Sequence, residues 1–131
     1  MWQRSTIANM RNKWWLPKGR MLIFGLGDAG LPEVHTVGVR NLTSAAPVMP
    51  EHDHPGTIEI KHVISGERLY AMNGHEYRLR GNDVLVTFPD ERHSSGDRPV
   101  RIGVQYWMGV KLPRRPQAFL GLQARDAWPL I

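Results

Sequence analysis

Short segments in which apolar and polar residues alternate fill the chain from Arg20 to Lys111. This period of two is typical of β-strands that bury one face. Gly, Pro, Asn and Asp separate the segments at short intervals, as turns require. The segments are RMLIFGLG, EVHTVGVRNL, IEIKHVIS, ERLYAMN, HEYRLR, DVLVTFP and VRIGVQYWMGV. Their number and spacing predict an all-β barrel or sandwich.

The turn signals are strongest at Asn73-Gly74, between the segments ERLYAMN and HEYRLR. Both residues tolerate positive φ, so the pair predicts a two-residue hairpin with a type I′ turn. Gly103 and Gly109 interrupt the last strand segment and predict bulges there.

The two ends of the chain lack the alternating pattern of its centre. Residues 5–15, STIANMRNKWW, predict a short helix capped by Ser5, which Pro17-Lys18-Gly19 would end. PQAFLGLQARDAWPLI is helix-like or irregular. We therefore expect an N-terminal extension over 1–19, a barrel over 20–113 and a C-terminal tail over 114–131. The apolar end of that tail is compatible with the start of a linker to a further domain.

Composition narrows the class of protein. A chain of 131 residues with 41% hydrophobic and 22% charged residues fits one folded domain. No apolar stretch is long enough to cross a bilayer, and no secretory segment is evident, so we expect a cytoplasmic protein without membrane contact. There is no cysteine, so any metal must be held by imidazole and carboxylate groups.

The net charge is +5, and no acidic residue precedes Asp28. Such a charge could attract nucleic acid, but no zinc module, phosphate-binding loop or RNA-binding aromatic motif accompanies the basic residues. A solvated basic surface is the favoured interpretation, and we expect no direct contact of this chain with DNA.

Four residues could form a metal site. His52 and His54 are two apart, so on an extended strand their side chains leave the same face. Glu59 follows after a Pro55-Gly56 turn, and His93 opens a later segment after another turn. An N/O ligand set of this kind suits a divalent transition metal such as Zn, Ni, Fe, Mn or Co. A polar pocket without metal is the alternative.

The spacing His52-x-His54-x4-Glu59-x6-Gly66 resembles the first motif of the cupin family residue for residue. Gly81, Asp83, Pro89 and His93 resemble the second motif, except that Asp90 replaces a glycine, and we expect the loop to differ there. The resemblance implies a double-stranded β-helix, or jelly-roll barrel. Within the cupins, FPDERHSSG is most similar to the N-terminal sensor domain of AraC-type transcription regulators, and FLGL resembles the end of such domains.

Two further residues are candidates for ligand binding. Lys61 shares the face of Glu59, so it either pairs with that carboxylate, or offers charge to an acidic ligand, or lies solvated at the barrel mouth. Tyr106 is a candidate because the last strand of a small barrel passes beside the metal end. His62 has the opposite parity to Glu59 and is expected on the outer surface.

The resemblance implies the ligand-sensing and dimerisation domain of an AraC-type regulator, with a small polar or acidic effector inside the barrel near His52, His54, Glu59 and His93 and a homodimeric assembly. The alternative is a stand-alone metal-dependent cupin enzyme, of the dioxygenase or sugar isomerase type. Catalytic residues are not identified by the sequence.

Overall fold

The computed structural model describes residues 19–130, and the predicted helix over residues 5–15 lies outside them. Nine strands account for about half of this part of the chain. They are β1 (Met21–Phe24), β2 (Val34–Leu42), β3 (Ala46–Val48), β4 (Thr57–Met72), β5 (His75–Arg80), β6 (Val84–Thr87), β7 (His93–Ser94), β8 (Pro99–Val100) and β9 (Gly103–Lys111). A 3₁₀ turn spans Gly27–Ala29, and a short helix α1 (Ala124–Ala127) leads into a 3₁₀ turn at Trp128–Leu130.

All strand pairs are antiparallel. The larger sheet has the order β1-β2-β9-β4-β5, and β6 and β7 also pair with β4. Strands β3 and β8 form a separate two-stranded ribbon. The short antiparallel strands agree with the predicted all-β class.

Strand β4 is the longest strand and joins two predicted segments into one. Its first half pairs with β9 and β6, and its second half pairs with β5 and β7. The register against β9 shifts between Val63 and Ser65, just before Gly66, whose φ is 77°. A Cβ on Gly66 would lie 2.3 Å from the carbonyl oxygen of Ile102, so glycine lets the two strands approach here.

The hairpin prediction is confirmed. Met72 pairs with His75, and the two residues between them, Asn73 and Gly74, have φ values of 52° and 75°. Positive φ at both central residues is the signature of the type I′ turn. The hairpin fixes the register of β4 against β5 and thereby the face on which Tyr70 and Met72 are buried.

Two apolar clusters stabilise the domain. The first contains Val63 and Tyr70 of β4 and Leu79 of the neighbouring strand β5. The second joins Val34 and Val110 to Phe119 and Ala127 of the C-terminal segment, which therefore packs against β2 and β9. The predicted boundary at residue 113 follows the last strand, but residues beyond it contribute to the core.

Candidate functional site

Strand parity places a row of polar groups inside the barrel. In the first half of β4, Thr57, Glu59, Lys61 and Val63 are buried, while the residues between them are more accessible. The pattern resumes after the Ser65–Gly66 irregularity with Arg68, Tyr70 and Met72. Buried side chains on β4 are therefore mostly ionisable or polar, and such groups need partners in the interior.

Three histidines meet at one end of this interior. His52 and His93 are joined by two backbone hydrogen bonds, N–H to O=C, of 3.0 and 2.9 Å. Ring centroids are 4.4 Å apart for His52 and His93, 5.1 Å for His52 and His54, and 5.4 Å for His54 and His93. One ring nitrogen from each lies within 4.8 Å of the other two, so the three could hold a metal ion.

The outer nitrogens of two rings are held by backbone carbonyl groups. His52 Nδ1 donates to Pro50 O at 2.8 Å, and His93 Nδ1 donates to Glu91 O at 3.0 Å. A carbonyl oxygen only accepts, so both Nδ1 atoms carry hydrogen and the Nε2 atoms of the neutral rings keep a lone pair. This is how metal-binding histidines are commonly oriented.

Two of the site's nitrogens have no hydrogen bond among the described residues. They are Nε2 of His54 and Nε2 of His93, and both are buried. Each faces Glu59 Oε2, at 3.2 and 3.4 Å, without the alignment of a hydrogen bond. A lone pair that faces a carboxylate at this distance is unfavourable unless a proton or a cation lies between them. The donor set therefore fits a divalent metal, and a protonated histidine is the other way to satisfy it.

Glu59 is shared between the histidines and Lys61. Lys61 Nζ contacts Glu59 Oε2 and donates to Thr87 Oγ1 at 3.3 Å, and Lys61 is only 3% exposed. Of the three alternatives that the sequence left open for Lys61, the structure shows the buried ion pair with Glu59. Burial raises the pKa of Glu59, but a proton on His93 Nε2, donated to the carboxylate, and the charge of Lys61 outweigh it and hold this pKa at about 2. The carboxylate is charged at neutral pH.

Burial lowers the pKa of two basic groups near Glu59, Lys61 and His54. Desolvation lowers the pKa of Lys61, and the charge of Glu59 opposes that change. Desolvation also lowers the pKa of His54, again opposed by Glu59, so a neutral ring that can bind a metal is favoured. The role of His52, His54, Glu59 and His93 as metal ligands stays a prediction.

A second group of buried polar side chains lies deeper in the barrel. Arg68 Nε donates to Gln105 Oε1 at 3.0 Å, and Gln105 Nε2 donates to Tyr70 Oη at 2.6 Å. Burial raises the pKa of Tyr70 to about 12, so its hydroxyl stays protonated. Lys61 Nζ lies 5.2 Å from the centre of the Tyr70 ring, which connects this group to the histidine end.

A cavity of about 380 Å³ opens between these two groups. Its polar lining includes His52, Glu59, Lys61, Arg68 and Gln105. Its apolar wall comes largely from the β3 and β8 regions and from three side chains of β1, β4 and β9, and consists of Met21, Ala46, Pro47, Val48, Met49, Leu69, Pro99, Val100 and Trp107. The cavity thus joins an apolar surface to a few fixed polar groups, as small-molecule sites do.

Tyr106 lies elsewhere than predicted. It is 38% exposed, and its neighbours Gln105 and Trp107 line the cavity instead. Successive side chains of a strand point to opposite faces, so a prediction wrong by one position selects the wrong face. Sequence reasoning also missed Arg40 and Arg68. The signal that could have found Arg68 was its spacing of two residues from Tyr70 on the same strand.

The loop before His93 is closer to the expected cupin motif than the sequence suggests. Asp90 replaces the usual glycine but has φ 66°, which is the left-handed conformation that glycine favours. Glu91 Oε2 accepts a hydrogen bond from Phe88 N–H at 2.8 Å and closes this turn. Aspartate tolerates the conformation better than most residues. The expectation that the loop differs here is therefore not met at the backbone.

Comparison with known proteins identifies the family to which the chain belongs. Residues 42–127 match the family profile described as "AraC-like ligand binding domain". The chain belongs to this family. No curated protein matches it in sequence.

Solved structures with a similar fold include cupins. A predicted oxalate decarboxylase from Thermotoga maritima is 21% identical, with a TM-score of 0.59 over 70% of this chain and 79% of that one. A cupin protein from Bacteroides fragilis is 20% identical, with a TM-score of 0.53 over 84% of this chain and 92% of that one. The prediction of a cupin double-stranded β-helix is confirmed. At these identities the likeness concerns the fold alone.

No helix of the described residues is long and apolar enough to cross a membrane.

Proposed function

We propose that this AraC-like ligand-binding domain is the small-molecule sensor of an AraC-type transcription regulator. The observation that carries the proposal is the cavity of about 380 Å³ inside the barrel, in the part of the chain that matches the family. Cavities that hold small ligands measure roughly 300 to 1,000 Å³. This one has the size for a metabolite of modest mass.

The wall of the cavity supports reversible binding of a small polar molecule. Apolar residues of β3 and β8 cover one side, and the fixed groups of Lys61, Arg68 and Gln105 provide polar contacts on the other. Because each of these groups is hydrogen-bonded to at least one buried side chain, their positions are set before a ligand enters. Preorganised polar groups lower the entropy cost of binding and give specificity.

In a regulator of this type the effector acts by differential affinity. A ligand that binds one arrangement of the domain more tightly shifts the population toward it, and an attached element responds. We propose that the domain works as a homodimer in the cytoplasm and that DNA contact belongs to another part of the regulator.

The test uses a variant that fills the cavity. Ala46 lines the cavity and is buried, whereas Ala29 is exposed, so Ala46→Phe and Ala29→Phe add the same side chain at different places. Protein purified without a histidine tag is screened against a metabolite collection by thermal shift. We expect a compound that stabilises the wild type and Ala29→Phe but not Ala46→Phe. If the compounds that stabilise the wild type also stabilise Ala46→Phe and Ala29→Phe equally, the cavity is not the binding site.

A metal-dependent cupin enzyme is the second candidate. The observation that favours it is the pair of buried Nε2 atoms of His54 and His93 without hydrogen bonds. These residues, with His52 and with Glu59 as the fourth ligand, would hold a divalent metal, which would supply a Lewis acid or a redox centre. The chain's own groups would then position the substrate, and Lys61 would keep Glu59 ionised.

Turnover separates the two candidates. Protein loaded in turn with Zn²⁺, Mn²⁺, Ni²⁺, Fe²⁺ or Co²⁺ is incubated in air with each compound that binds, and the compound is followed by mass spectrometry. A sensor returns the compound unchanged with every metal. Conversion that disappears in His54→Ala but persists in His75→Ala would establish the enzyme, because His75 lies in the exposed hairpin.

A further inference from the structure

The charges that line the cavity do not balance. Arg40, Lys61 and Arg68 contribute three cations, whereas Glu59 is the carboxylate among the lining residues. Glu59 is already engaged by Lys61. Within residues 19–130 no carboxylate lies within ion-pair distance of either guanidinium group, so Arg40 and Arg68 keep their full charges in and beside the barrel interior.

Arg68 is fixed and largely occupied. It is 3% exposed, and its Nη1 donates to the carbonyl oxygens of Glu67, Arg101 and Ile102 while Nη2 donates to Gly103 O at 3.1 Å. With Nε on Gln105, four of its five N–H groups are used, and one on Nη2 remains. Carbonyl groups solvate the charge but do not neutralise it.

Arg40 differs from Arg68 because no hydrogen bond occupies its guanidinium group among the described residues. It lies on β2 directly opposite Gln105 of β9, and Gln105 holds Arg68. Residues opposed in an antiparallel pair have Cβ atoms roughly 5 Å apart, so the two arginines flank one amide. The charge of Arg40 contributes to lowering the pKa of Arg68, after desolvation, as proximity requires. Two like charges so placed repel each other until an anion joins them.

The surroundings of Arg40 indicate what kind of anion fits. The wall of the cavity is largely apolar, and Met21, which pairs with Arg40 across β1 and β2, is part of that wall. Arg40 can present two parallel N–H groups to a planar carboxylate, and Arg68 can add the one that remains. An inorganic phosphate would use the donors but leave the apolar wall without a partner.

We propose that the Arg40 end of the cavity is a carboxylate-binding site and that the ligand of this domain is a small carboxylic acid with an apolar body. The inference rests on the proposed function, since it assumes that the cavity accepts a ligand. It places the acid group away from the histidines, with Arg40 as the main contacting residue and the remaining N–H group of Arg68 as a further donor.

The experiment compares acids with their neutral analogues. Benzoate and hexanoate are measured beside benzamide and hexanamide, with inorganic phosphate as a third arm, by thermal shift and calorimetry in chelator-treated protein. Variants are Arg40→Gln, Arg40→Lys and Arg115→Gln, which removes an exposed charge outside the cavity. We expect the acids to bind at least tenfold more tightly than the amides. Arg40→Gln should abolish that preference, whereas Arg40→Lys retains part of it and Arg115→Gln retains all of it.

Four results would overturn the inference. Amides that bind as well as acids would leave the cavity as a sensor site but remove its preference for anions. Phosphate that binds as tightly as the acids would assign the arginines to a different anion. Absence of binding by both organic series, or equal binding in Ala46→Phe, would contradict the proposed cavity function as well as the ligand class.

Discussion

Lys61 forms an ion pair with Glu59, two residues before it on the same buried face of β4. Both side chains are almost removed from solvent, and Glu59 also faces the ring nitrogens of His54 and His93. The lysine therefore decides how much of the carboxylate is available to a metal. It also makes each charge dependent on the other, because an unpaired buried charge is strongly unfavourable.

Lys61→Met removes the cation and keeps the length of the side chain. We expect a loss of about 3 kcal/mol in the free energy of unfolding, measured by urea denaturation, since the Glu59 carboxylate is left buried without its partner. Adding Glu59→Gln to Lys61→Met should cost less than the two separate losses combined. If Lys61→Met is as stable as the wild type, the ion pair does not contribute as the structure implies.

The low pKa of Glu59 predicts a particular dependence of stability on pH. The folded-state pKa of about 2 lies below the ordinary value of 4.5, so this group stabilises the fold above pH 4.5 and loses its contribution as the pH falls toward 2. The full contribution is on the order of 3 kcal/mol. In chelator-treated protein, the difference in unfolding free energy between the wild type and Glu59→Gln should be constant above pH 5 and shrink below it. A difference that does not change with pH would contradict this pKa.

The sequence predicted the class of fold because alternation and turn residues act locally. The Asn73-Gly74 turn is fixed by two residues, and Glu59 and Lys61 share a face by parity alone. The His52–His93 bridge depends on a contact across forty residues of chain, which no local pattern fixes, and the resemblance to cupin motifs supported it.

The rest of the cavity could not be predicted from local pattern. A bulge changes the parity of a strand, and β4 has one between Val63 and Ser65, so Arg68 cannot be placed by counting from Glu59. Tyr106 and Trp107 differ by one position and are both aromatic, so composition does not distinguish them. In the sequence, Arg40 is an ordinary charged residue of a strand. Only the pairing of β2 with β9 shows that it lies opposite Gln105 at the cavity.

Gly38 gives a test of how the cavity wall is built. A Cβ at this position would lie 2.1 Å from the indole ring of Trp107, which crosses over the glycine from the neighbouring strand. We expect Gly38→Ala to destabilise the fold by about 2 kcal/mol in urea denaturation, because the ring must leave its position. Gly27→Ala is the control, since a Cβ there meets nothing within 4 Å, and it should change stability by less than about 0.5 kcal/mol. Equal effects of the two substitutions would place Trp107 elsewhere.

The histidine cluster predicts stabilisation by metal. A ligand that binds only the folded state adds about 2.7 kcal/mol at a free concentration one hundred times its dissociation constant. We expect Zn²⁺ or Ni²⁺ to raise the Tm of chelator-treated protein and to remain bound after gel filtration, measured by elemental analysis. His54→Ala should lose both effects, because it removes one of the three nitrogens and one of the two that lack hydrogen bonds. His75→Ala should keep both, since it removes an exposed imidazole from the hairpin. If His54→Ala binds as much metal as the wild type, the metal is held outside the barrel, and a protonated histidine must then satisfy the contacts with Glu59.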